Sequence, residues 1–420
     1  MPSQSTILYK NLQKQYSRRI NLDLTRIKKV LKKLKDPHLS IINPINVIGS
    51  DGKYSVLTSL KYFLESEKKS VTAFTSPHLF DLRHRFWLKK KYISLPYFKK
   101  LVSIIERTKL KLTLFELLTC VYILAAKNKK EINYNLIESG LFFKKDSTNL
   151  WNKPKAQIIT NINFQHQDWI KPKTINEICK QKVGYLSNNS TIYIARQKPA
   201  TLKIIKKILK KNLSKKIYAS SWDVKFLKNK IIYKDKKNLI PINSKYIKSK
   251  ALIYNLCLGI KVALDLGVKK SNIIRTIPKI KFYGRIQYLK KGKLKRILNK
   301  NENLLIDGCH SIASAKNLNE YLKTLKEPIY GIWGMQKNKM PEEFIQVFKN
   351  TFLKIITVPI PNEPNTIQAK DLSQICKKNK INSSSEENLT AAIKRLTSKS
   401  KKNIVIFGSL YLIGHALKIN

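Results

Sequence analysis

The stretch INVIGSDGKYSVLTSLKYFLES at residues 45–66 decides how the first part of the chain folds. Its apolar run INVIG ends in glycine, and VLTSLKYFLES then has its apolar residues at helical spacing, which predicts a strand, a loop and a helix in that order. The loop GSDGKYS is typical of phosphate-binding loops, in which backbone amides, a lysine and a hydroxyl hold phosphate oxygens. Its glycine spacing is shorter than in a full Walker pattern, so a glycine-containing turn without a ligand stays open as the alternative.

Strand and helix patterns alternate on both sides of this loop, which predicts a parallel sheet covered by helices on both faces. Ligands bind such sheets at the carboxyl ends of the strands. The predicted elements are helices at 20–36, 115–128 and 201–212, and strands at 71–76, 133–139, 156–163, 191–197 and 216–221.

A second α/β pattern begins after residue 300. Residues 222–300 are rich in Lys and Asn with helical stretches, notably at 249–266, and strands and helices then alternate again. We therefore expect two domains, 1–292 and 293–420. The second is predicted to contain strands at 303–308, 328–334, 354–360 and 403–409, helices at 312–325 and 341–350, and two more helices before its last strand.

The formal net charge of +57, taken alone, suggests a nucleic-acid or anionic-membrane partner. Only 11 of the 83 basic residues are Arg, and the lysines are spread along the chain beside abundant Ile and Asn. Adenine- and thymine-rich codons encode Lys, Ile and Asn, so the base composition of the gene explains the excess at least as well. We expect no nucleic-acid and no membrane partner, although the charge raises the local concentration of anionic small molecules.

The remaining composition predicts a globular protein of the cytoplasm, which we expect to be monomeric. Hydrophobic residues make up 43% of the chain, and there is neither an apolar run of about 18 residues nor an N-terminal secretory signal. The cysteines lack CxxC spacing, which predicts reduced thiols rather than disulfides or zinc ligands; they are Cys120, Cys179, Cys257, Cys309 and Cys376.

Further motifs follow in a fixed order from about residue 20 to residue 414. On these motifs the chain resembles the folylpolyglutamate synthase and dihydrofolate synthase family of the Mur-ligase superfamily. TSPHL, DSTN, IDG-x-H and GSLYL-x-G are specific in combination. The motifs are LDLTRIKKVLKKLKDPH (22–38), TSPHL (75–79), TLFELLT (113–119), ESGLFFKKDSTN (138–149), QHQDW (165–169), EICKQKVG (177–184), YGRIQ (283–287), LLIDGCHS (304–311) and IVIFGSLYLIG (404–414).

The resemblance implies an α/β, Mur-ligase-like fold with a central parallel-sheet ATP-binding domain and a smaller, Rossmann-like C-terminal domain. It implies ATP and Mg²⁺ as cofactors, and L-glutamate with folate or dihydropteroate as substrates. Lys53 and Ser55 would contact the ATP phosphates, and His310 would act at the nucleotide with Arg285. The implied ATP-binding set is Gly49, Ser50, Asp51, Gly52, Lys53, Tyr54, Ser55, Arg285 and Asp307.

Ser76, Glu138 and His166 match the family's magnesium ligands. Hydroxyl and carboxylate oxygens suit magnesium, whereas His is a less usual ligand for so hard an ion. Taken singly, a Ser before Pro is ordinarily a turn residue, a Glu is solvated, and a His satisfies a local hydrogen bond. Lys182 falls where the family has a catalytic carbamylated lysine, although a lysine in a Lys-rich helix is ordinarily just solvated. Asp146 and Asn149 would shape the substrate side.

Several positions depart from the family pattern. Two glycines are usual where this chain has Phe142 and Phe143, and bulky rings do not adopt positive-φ conformations cheaply, so we expect that loop to follow another path and to alter the pterin side. Acidic residues are usual at Gln165 and Gln181. The other departures are Lys144 in place of Arg, Ser311 in place of Asn, and Tyr54 in place of Gly.

The implied reaction is carboxylate activation, in which the γ-phosphoryl group of ATP forms an acyl phosphate that the amine of glutamate attacks. Positioned positive charge suffices for phosphoryl transfer, and Lys53 and Arg285 would supply it with magnesium. Two alternatives stay open: a Mur-type amino-acid ligase with another acceptor, such as a cell-wall precursor, and a basic nucleic-acid-binding protein that has lost catalysis.

Overall fold

The computed structural model describes residues 3–17, 22–127, 131–165, 169–227, 230–243 and 246–420. The chain forms two compact units, one of Met1–Ser244 with Tyr254–Ile280 and one of Lys245–Ile253 with Lys281–Asn420. None of the helices in these described ranges is both long enough and apolar enough to span a membrane.

The first unit is organised around an eight-stranded sheet in the order β4-β3-β2-β5-β1-β6-β7-β8. The strands from β2 to β8 in this order run parallel, as predicted, and β3 and β4 add an antiparallel edge. Every residue of β1 and β2 is buried. The strands are β1 (Pro44–Ile48), β2 (Val71–Phe74), β3 (Phe86–Leu88), β4 (Lys91–Tyr92), β5 (Tyr134–Glu138), β6 (Ala156–Ile159), β7 (Thr191–Ile194) and β8 (Lys215–Tyr218).

Among the described residues, helices pack on this sheet over groups of buried apolar side chains that include the following. One group lies around α2, α4 and α5, and another lies around α6 and α7. The helices are α1 (Gln4–Gln15), α2 (Thr25–Lys33), α3 (Lys53–Ser66), α4 (Leu95–Glu106), α5 (Leu114–Lys127), α6 (Ile175–Val183), α7 (Pro199–Ile208), α8 (Lys250–Asp265) and α9 (Lys270–Thr276).

Residues 222–241 correct the sequence analysis, which assigned strands to none of them. They form a three-stranded antiparallel sheet of β9 (Trp222–Leu227), β10 (Lys230–Asp235) and β11 (Leu239–Pro241). In β9 the buried Trp222 and Val224 alternate with the exposed Asp223 and Lys225, which is the period of a half-buried strand. The Lys- and Asn-rich composition hid this alternation.

The second unit contains a six-stranded sheet in the order β12-β13-β17-β14-β15-β16, parallel apart from β12. The strands are β12 (Gln287–Tyr288), β13 (Glu302–Asp307), β14 (Ile329–Trp333), β15 (Lys354–Thr357), β16 (Ser383–Ser385) and β17 (Lys402–Phe407). The helices are α10 (Lys293–Ile297), α11 (Ile312–Leu322), α12 (Pro341–Gln346), α13 (Ala369–Lys378), α14 (Leu389–Leu396) and α15 (Leu410–Ile419).

The compact units divide after Ile280, whereas the sequence predicts a domain boundary near residue 292. The physical reason is that Gln287 and Tyr288 pair with Ile306 and Leu305 of β13, so the residues just before 292 extend the second sheet. The predicted alternation of strands and helices in this part of the chain, from 303 to 409, is otherwise confirmed.

Candidate functional site

The loop from Gly49 to Gly52 joins β1 to α3 at the carboxyl end of the sheet, as the sequence predicts. Gly49 has φ +148° and Gly52 has φ +88°, conformations that side chains rarely adopt. Space is also lacking, because a Cβ on Gly49 would lie 2.1 Å from Thr160 Oγ1. Both glycines are therefore required by the path of the loop.

Two of the loop amides are not available to a ligand. The backbone N–H groups of Ser50 and Asp51 both donate to the carbonyl oxygen of Asn161, at 2.9 and 3.2 Å. The first turn of α3 follows directly, and the first turn of a helix supplies no acceptors within the helix for its backbone N–H groups. Tyr54 and Ser55 lie in that turn, so Tyr54 has helical backbone and replaces a glycine without strain.

Two lysine amines converge on the phosphate loop. Lys53 Nζ donates to the carbonyl oxygens of Gly49 and Ser50, at 3.1 and 3.3 Å. Lys182 Nζ donates to the same Gly49 oxygen at 3.0 Å and to the carbonyl oxygen of Leu141 at 2.6 Å. The Lys53 side chain thus folds back over the loop and is only partly accessible.

Lys182 is 1% exposed, which excludes the reading of a solvated lysine. Burial, together with the nearby charge of Lys53, lowers the pKa of its amine to about 7. The carboxylates of Asp146 and Asp51 act in the opposite direction. The sequence places Lys182 on α6, and only the tertiary packing brings it to the phosphate loop.

Asp146 and Asn149 hold the loop that follows β5. Asp146 is 2% exposed, and its carboxylate accepts hydrogen bonds from the N–H of Gly140 and from the N–H and hydroxyl of Thr148. Burial raises the pKa of this carboxyl, against the effect of those donors. The amide of Asn149 donates to the Phe143 carbonyl oxygen at 3.0 Å. Both side chains thus shape the loop from within.

Phe142 and Phe143 are each 1% exposed and belong to the apolar group beneath α6 and α7. Neither has a positive φ, so this loop does follow a path that suits bulky residues. The rings face the core around Ile178 and Val183, and the ring of Phe142 lies 5.3 Å from Lys182 Nζ. An altered pterin side stays a prediction.

Two of the three predicted magnesium ligands meet at the ends of β2 and β5. The Ser76 N–H donates to Glu138 Oε2 at 3.1 Å, and Glu138 is 4% exposed. His166 lies outside the described residues. Within the described part of the chain, no group of three or more His, Cys, Asp and Glu side chains could hold a metal ion. The carboxylate and hydroxyl pair nevertheless supplies oxygens of the type that magnesium prefers.

In the second unit, Asp307 anchors the turn that contains Arg285. One carboxylate oxygen of Asp307 accepts from the Ile286 N–H and the other accepts from the Cys309 N–H, both at 2.8 Å. Burial raises the pKa of Asp307, and the Arg285 guanidinium opposes that shift. Ile286 has φ +44°, a strained conformation for a β-branched residue.

His310 and Ser311 follow β13 at the start of α11. His310 Nδ1 lies 2.9 Å from the Gly308 carbonyl oxygen. The Ser311 hydroxyl accepts from the Ser314 N–H and forms a capping box, so this replacement of the usual Asn supplies an ordinary N-cap. Arg285 and Gly308 are close neighbours, since a Cβ on Gly308 would lie 2.7 Å from Arg285 Nη1.

The sequence analysis missed three residues that contact the phosphate loop. Thr160 lies against Gly49, and the carbonyl oxygen of Asn161 accepts hydrogen bonds from two N–H groups of the loop. The side-chain amide of Asn255 lies against Gly52, because a Cβ on Gly52 would be 2.6 Å from Asn255 Oδ1. Thr160 and Asn161 stand just after β6 and were detectable as polar residues at a strand end. Asn255, on α8, has no local signal.

Comparisons with known proteins point in one direction. Residues 290–419 match the family model for the dihydrofolate synthetase C-terminal domain. The chain is 25% identical to dihydrofolate synthetase of Saccharomyces cerevisiae, over 96% of this chain and 98% of that protein. Mycobacterium tuberculosis folylpolyglutamate synthase complexed with ADP has a TM-score of 0.86 at 18% identity, covering 98% and 97%. E. coli FolC in complex with DHPP and ADP has a TM-score of 0.85 at 18% identity, covering 99% and 97%.

A mostly parallel sheet followed by a second α/β unit is the fold that this chain shares with the solved folylpolyglutamate synthase and FolC structures. The predicted fold class is therefore confirmed. More narrowly, the family model and the nearly full-length similarity to the yeast protein agree with the order of the sequence motifs. The comparisons thus agree with the sequence resemblance to the folylpolyglutamate synthase and dihydrofolate synthase family.

Proposed function

We propose that this chain is an ATP-dependent ligase that joins L-glutamate to a pterin-bearing carboxylate, either dihydropteroate or a reduced folate. The observation that supports this most is the phosphate loop with Lys53 and Lys182 bonded to one carbonyl oxygen, that of Gly49. Amines held on neutral acceptors are free to exchange them for phosphate oxygens, which bind an ammonium group more strongly.

ATP-driven amide formation divides into two steps on this site. The acceptor carboxylate attacks the γ-phosphorus of ATP, which forms an acyl phosphate and releases ADP. The amine of glutamate then attacks the acyl carbon, loses a proton and expels inorganic phosphate. Lys53 and the amides at the start of α3 stabilise the charge on the transferring phosphoryl group.

Arg285, Asp307 and His310 are the candidate nucleotide contacts of the second unit, by resemblance to the family. The structure supports a shared location, because Asp307 binds the backbone of the Arg285 turn and His310 follows Asp307 by three residues. Asp307 then acts by fixing the position of Arg285, since both of its oxygens already accept backbone N–H groups.

Magnesium fits the Ser76 and Glu138 pair in donor chemistry, and His166 completes the set by resemblance. When bound, magnesium would neutralise phosphate charge during phosphoryl transfer. Replacing Glu138 with Gln removes the anionic oxygen but keeps the side-chain shape. We expect the magnesium concentration for half-maximal activity to rise by about tenfold or more, because a neutral amide is a poorer ligand. An unchanged magnesium titration would exclude Glu138 as a ligand.

For Lys182 the resemblance implies a carbamate. Its buried amine, with a pKa of about 7, is substantially neutral at physiological pH, as addition to CO₂ requires. Intact-mass measurement in bicarbonate and in CO₂-free buffer, with Lys182→Met as the control, tests the modification. An unmodified amine in both buffers would leave Lys182 as a second cation beside the phosphate loop.

The acceptor is identified by a substrate panel. Purified protein with ATP, magnesium and glutamate receives dihydropteroate, a reduced folate or a muramyl precursor separately, and mass spectrometry detects a product heavier by one glutamyl unit. We expect ADP release and the glutamyl product with one or both pterin acceptors. We also propose that the enzyme is monomeric and acts in the cytoplasm. An amino acid added only to the muramyl precursor would overturn the folate assignment in favour of another Mur-type acceptor.

A further inference from the structure

Asp51 places a carboxylate inside a loop that has to receive anionic phosphates. The Oδ2 atom of Asp51 accepts hydrogen bonds from Asn163 Nδ2 at 2.8 Å and from Gln165 Nε2 at 2.9 Å. Both donors lie on the segment after β6, so the negative charge is held by two amides of that segment.

Further bonds join the same two segments. Asn161 accepts the N–H groups of Ser50 and Asp51, and the Ser50 hydroxyl bonds the carbonyl oxygen and N–H of Asn163, at 3.2 and 3.1 Å. The backbone contacts depend on no particular residue types at 51 and 165. The contact between Asp51 and Gln165 does, because a carboxylate oxygen can only accept and needs an amide donor opposite.

Position 165 is where the sequence resemblance leads one to expect an acidic residue. With Asp51 in the loop, an acid at 165 would bring two carboxylate oxygens to about the present 2.9 Å separation of the Asp51 and Gln165 atoms. Like charges so close repel, raise one of the two pKa values and push the segments apart. Gln165 removes that conflict and supplies a hydrogen-bond donor.

We infer that Asp51 and Gln165 are a matched pair of positioning residues that fixes the phosphate loop against the segment after β6, and thereby tunes nucleotide affinity. This inference rests on the proposed nucleotide-binding function. Because Asp51 points to Asn163 and Gln165, its charge is engaged by donors rather than presented unpaired to phosphate. Residue 165 therefore has to be a hydrogen-bond donor as long as residue 51 is an aspartate, and a substitution at one position is compensated by a matching substitution at the other.

A double-mutant cycle on the full-length protein tests the pair, with ADP dissociation constants and ATP KM and kcat as readouts. Gln165→Glu should weaken ADP binding by about tenfold, because two carboxylates then face each other. Asp51→Asn should weaken it by about threefold, since its amide oxygen still accepts but without charge. In the double variant the amide introduced at position 51 can donate to the carboxylate introduced at position 165, and ADP affinity should return to within about threefold of wild type. KM for ATP should change more than kcat.

The matched control is Gln181→Glu, which also sets a carboxylate against a carboxylate, because Gln181 Nε2 donates to Glu177 Oε1 at 2.7 Å. The effect of Gln181→Glu on ADP affinity should be the same in the wild-type and in the Asp51→Asn backgrounds. Thermal melting of each variant separates loss of fold from loss of affinity.

Two results would overturn the inference. In the first, Gln165→Glu weakens ADP binding equally in the wild-type and Asp51→Asn backgrounds while the wild-type protein binds ADP. This result would show that the two residues are not coupled and would leave the proposed function standing. Wild-type protein that binds no ADP would remove the proposed function and the inference together.

Discussion

The two sheets of this protein hold charge at their strand ends in opposite ways. In the first unit, the amines of Lys53 and Lys182 donate to neutral carbonyl oxygens of the surrounding loops. In the second unit, the Asp307 carboxylate accepts backbone N–H groups, one of them from the strained Ile286. The first arrangement leaves its amines ready to change partners, whereas the second uses its charge to fix a turn.

The difference predicts that changes in the first unit act mainly on chemistry and changes in the second unit act on stability and activity together. A cation that exchanges partners adds little to folding, because an amine on a carbonyl oxygen gains only a modest net hydrogen-bond energy. A buried carboxylate that satisfies two backbone groups leaves both unsatisfied when it is removed, and each loss costs about 1 to 3 kcal/mol.

The largest effect is expected for Lys53→Ala. Turnover in the glutamate-dependent ADP assay should fall by about a thousandfold, because a charge that stabilises the transferring phosphoryl group is lost. The melting temperature should stay close to that of wild type. Lys69→Ala, at an exposed position just beyond the same helix, is the control and should retain activity. Near-normal turnover of Lys53→Ala would exclude this loop as the ATP site.

Asp307→Ala should lower both the stability of the protein and its activity. We expect a loss of about 2 to 4 kcal/mol in the free energy of unfolding, because two backbone N–H groups lose their acceptors, together with weaker nucleotide binding through Arg285. Asp307→Asn keeps one acceptor oxygen, so its stability and its nucleotide affinity should lie between those of wild type and those of Asp307→Ala. Chemical denaturation and ADP titration measure the effects, with the exposed Asp371→Ala as the control. A variant with wild-type stability would contradict the anchoring role.

Lys182 gives the first unit a pH-dependent stability. Its folded pKa of about 7 lies below the ordinary value of 10.5, so the unfolded chain binds more protons between these two pH values and stability rises with pH across that range. In CO₂-free buffer, the free energy of unfolding of wild type, relative to that of Lys182→Met, should rise by about 1 kcal/mol per pH unit from pH 7.5 to pH 9.5. Parallel pH profiles for the two proteins would show that the Lys182 pKa is not depressed.

The smallest effect concerns the backbone of Ile286. At an ordinary buried site glycine is less stable than alanine, but at positive φ alanine is strained and glycine is not. Ile286→Gly should therefore be more stable than Ile286→Ala by about 1 kcal/mol in denaturant unfolding. The same pair of substitutions at Ile306, on β13, should show the opposite order. If alanine is more stable than glycine at both positions, the backbone of Ile286 is not strained.

Sequence by itself determined the alternation of strands and helices, the glycine loop between β1 and α3, and the resemblance to a ligase family. These signals are local, because apolar periodicity, Gly49 and Gly52, and ordered motifs can be read within short windows. The same reasoning failed for the strands β9 to β11, where the alternating burial of Trp222 and Val224 with the exposed Asp223 and Lys225 was hidden by the Lys- and Asn-rich composition. The pairing of β12 with β13, just before the predicted boundary near residue 292, is likewise not a local signal.

Only the tertiary structure decided which side chains share a site. Lys182 reaches Gly49 across 133 residues, Gln165 reaches Asp51 across 114, and Asn255 faces Gly52 from another helix. Such contacts depend on how helices pack against the sheet, and no window of sequence contains both partners. Burial decided the rest, because a lysine that composition describes as solvated has a pKa near 7 once it is enclosed beneath the phosphate loop.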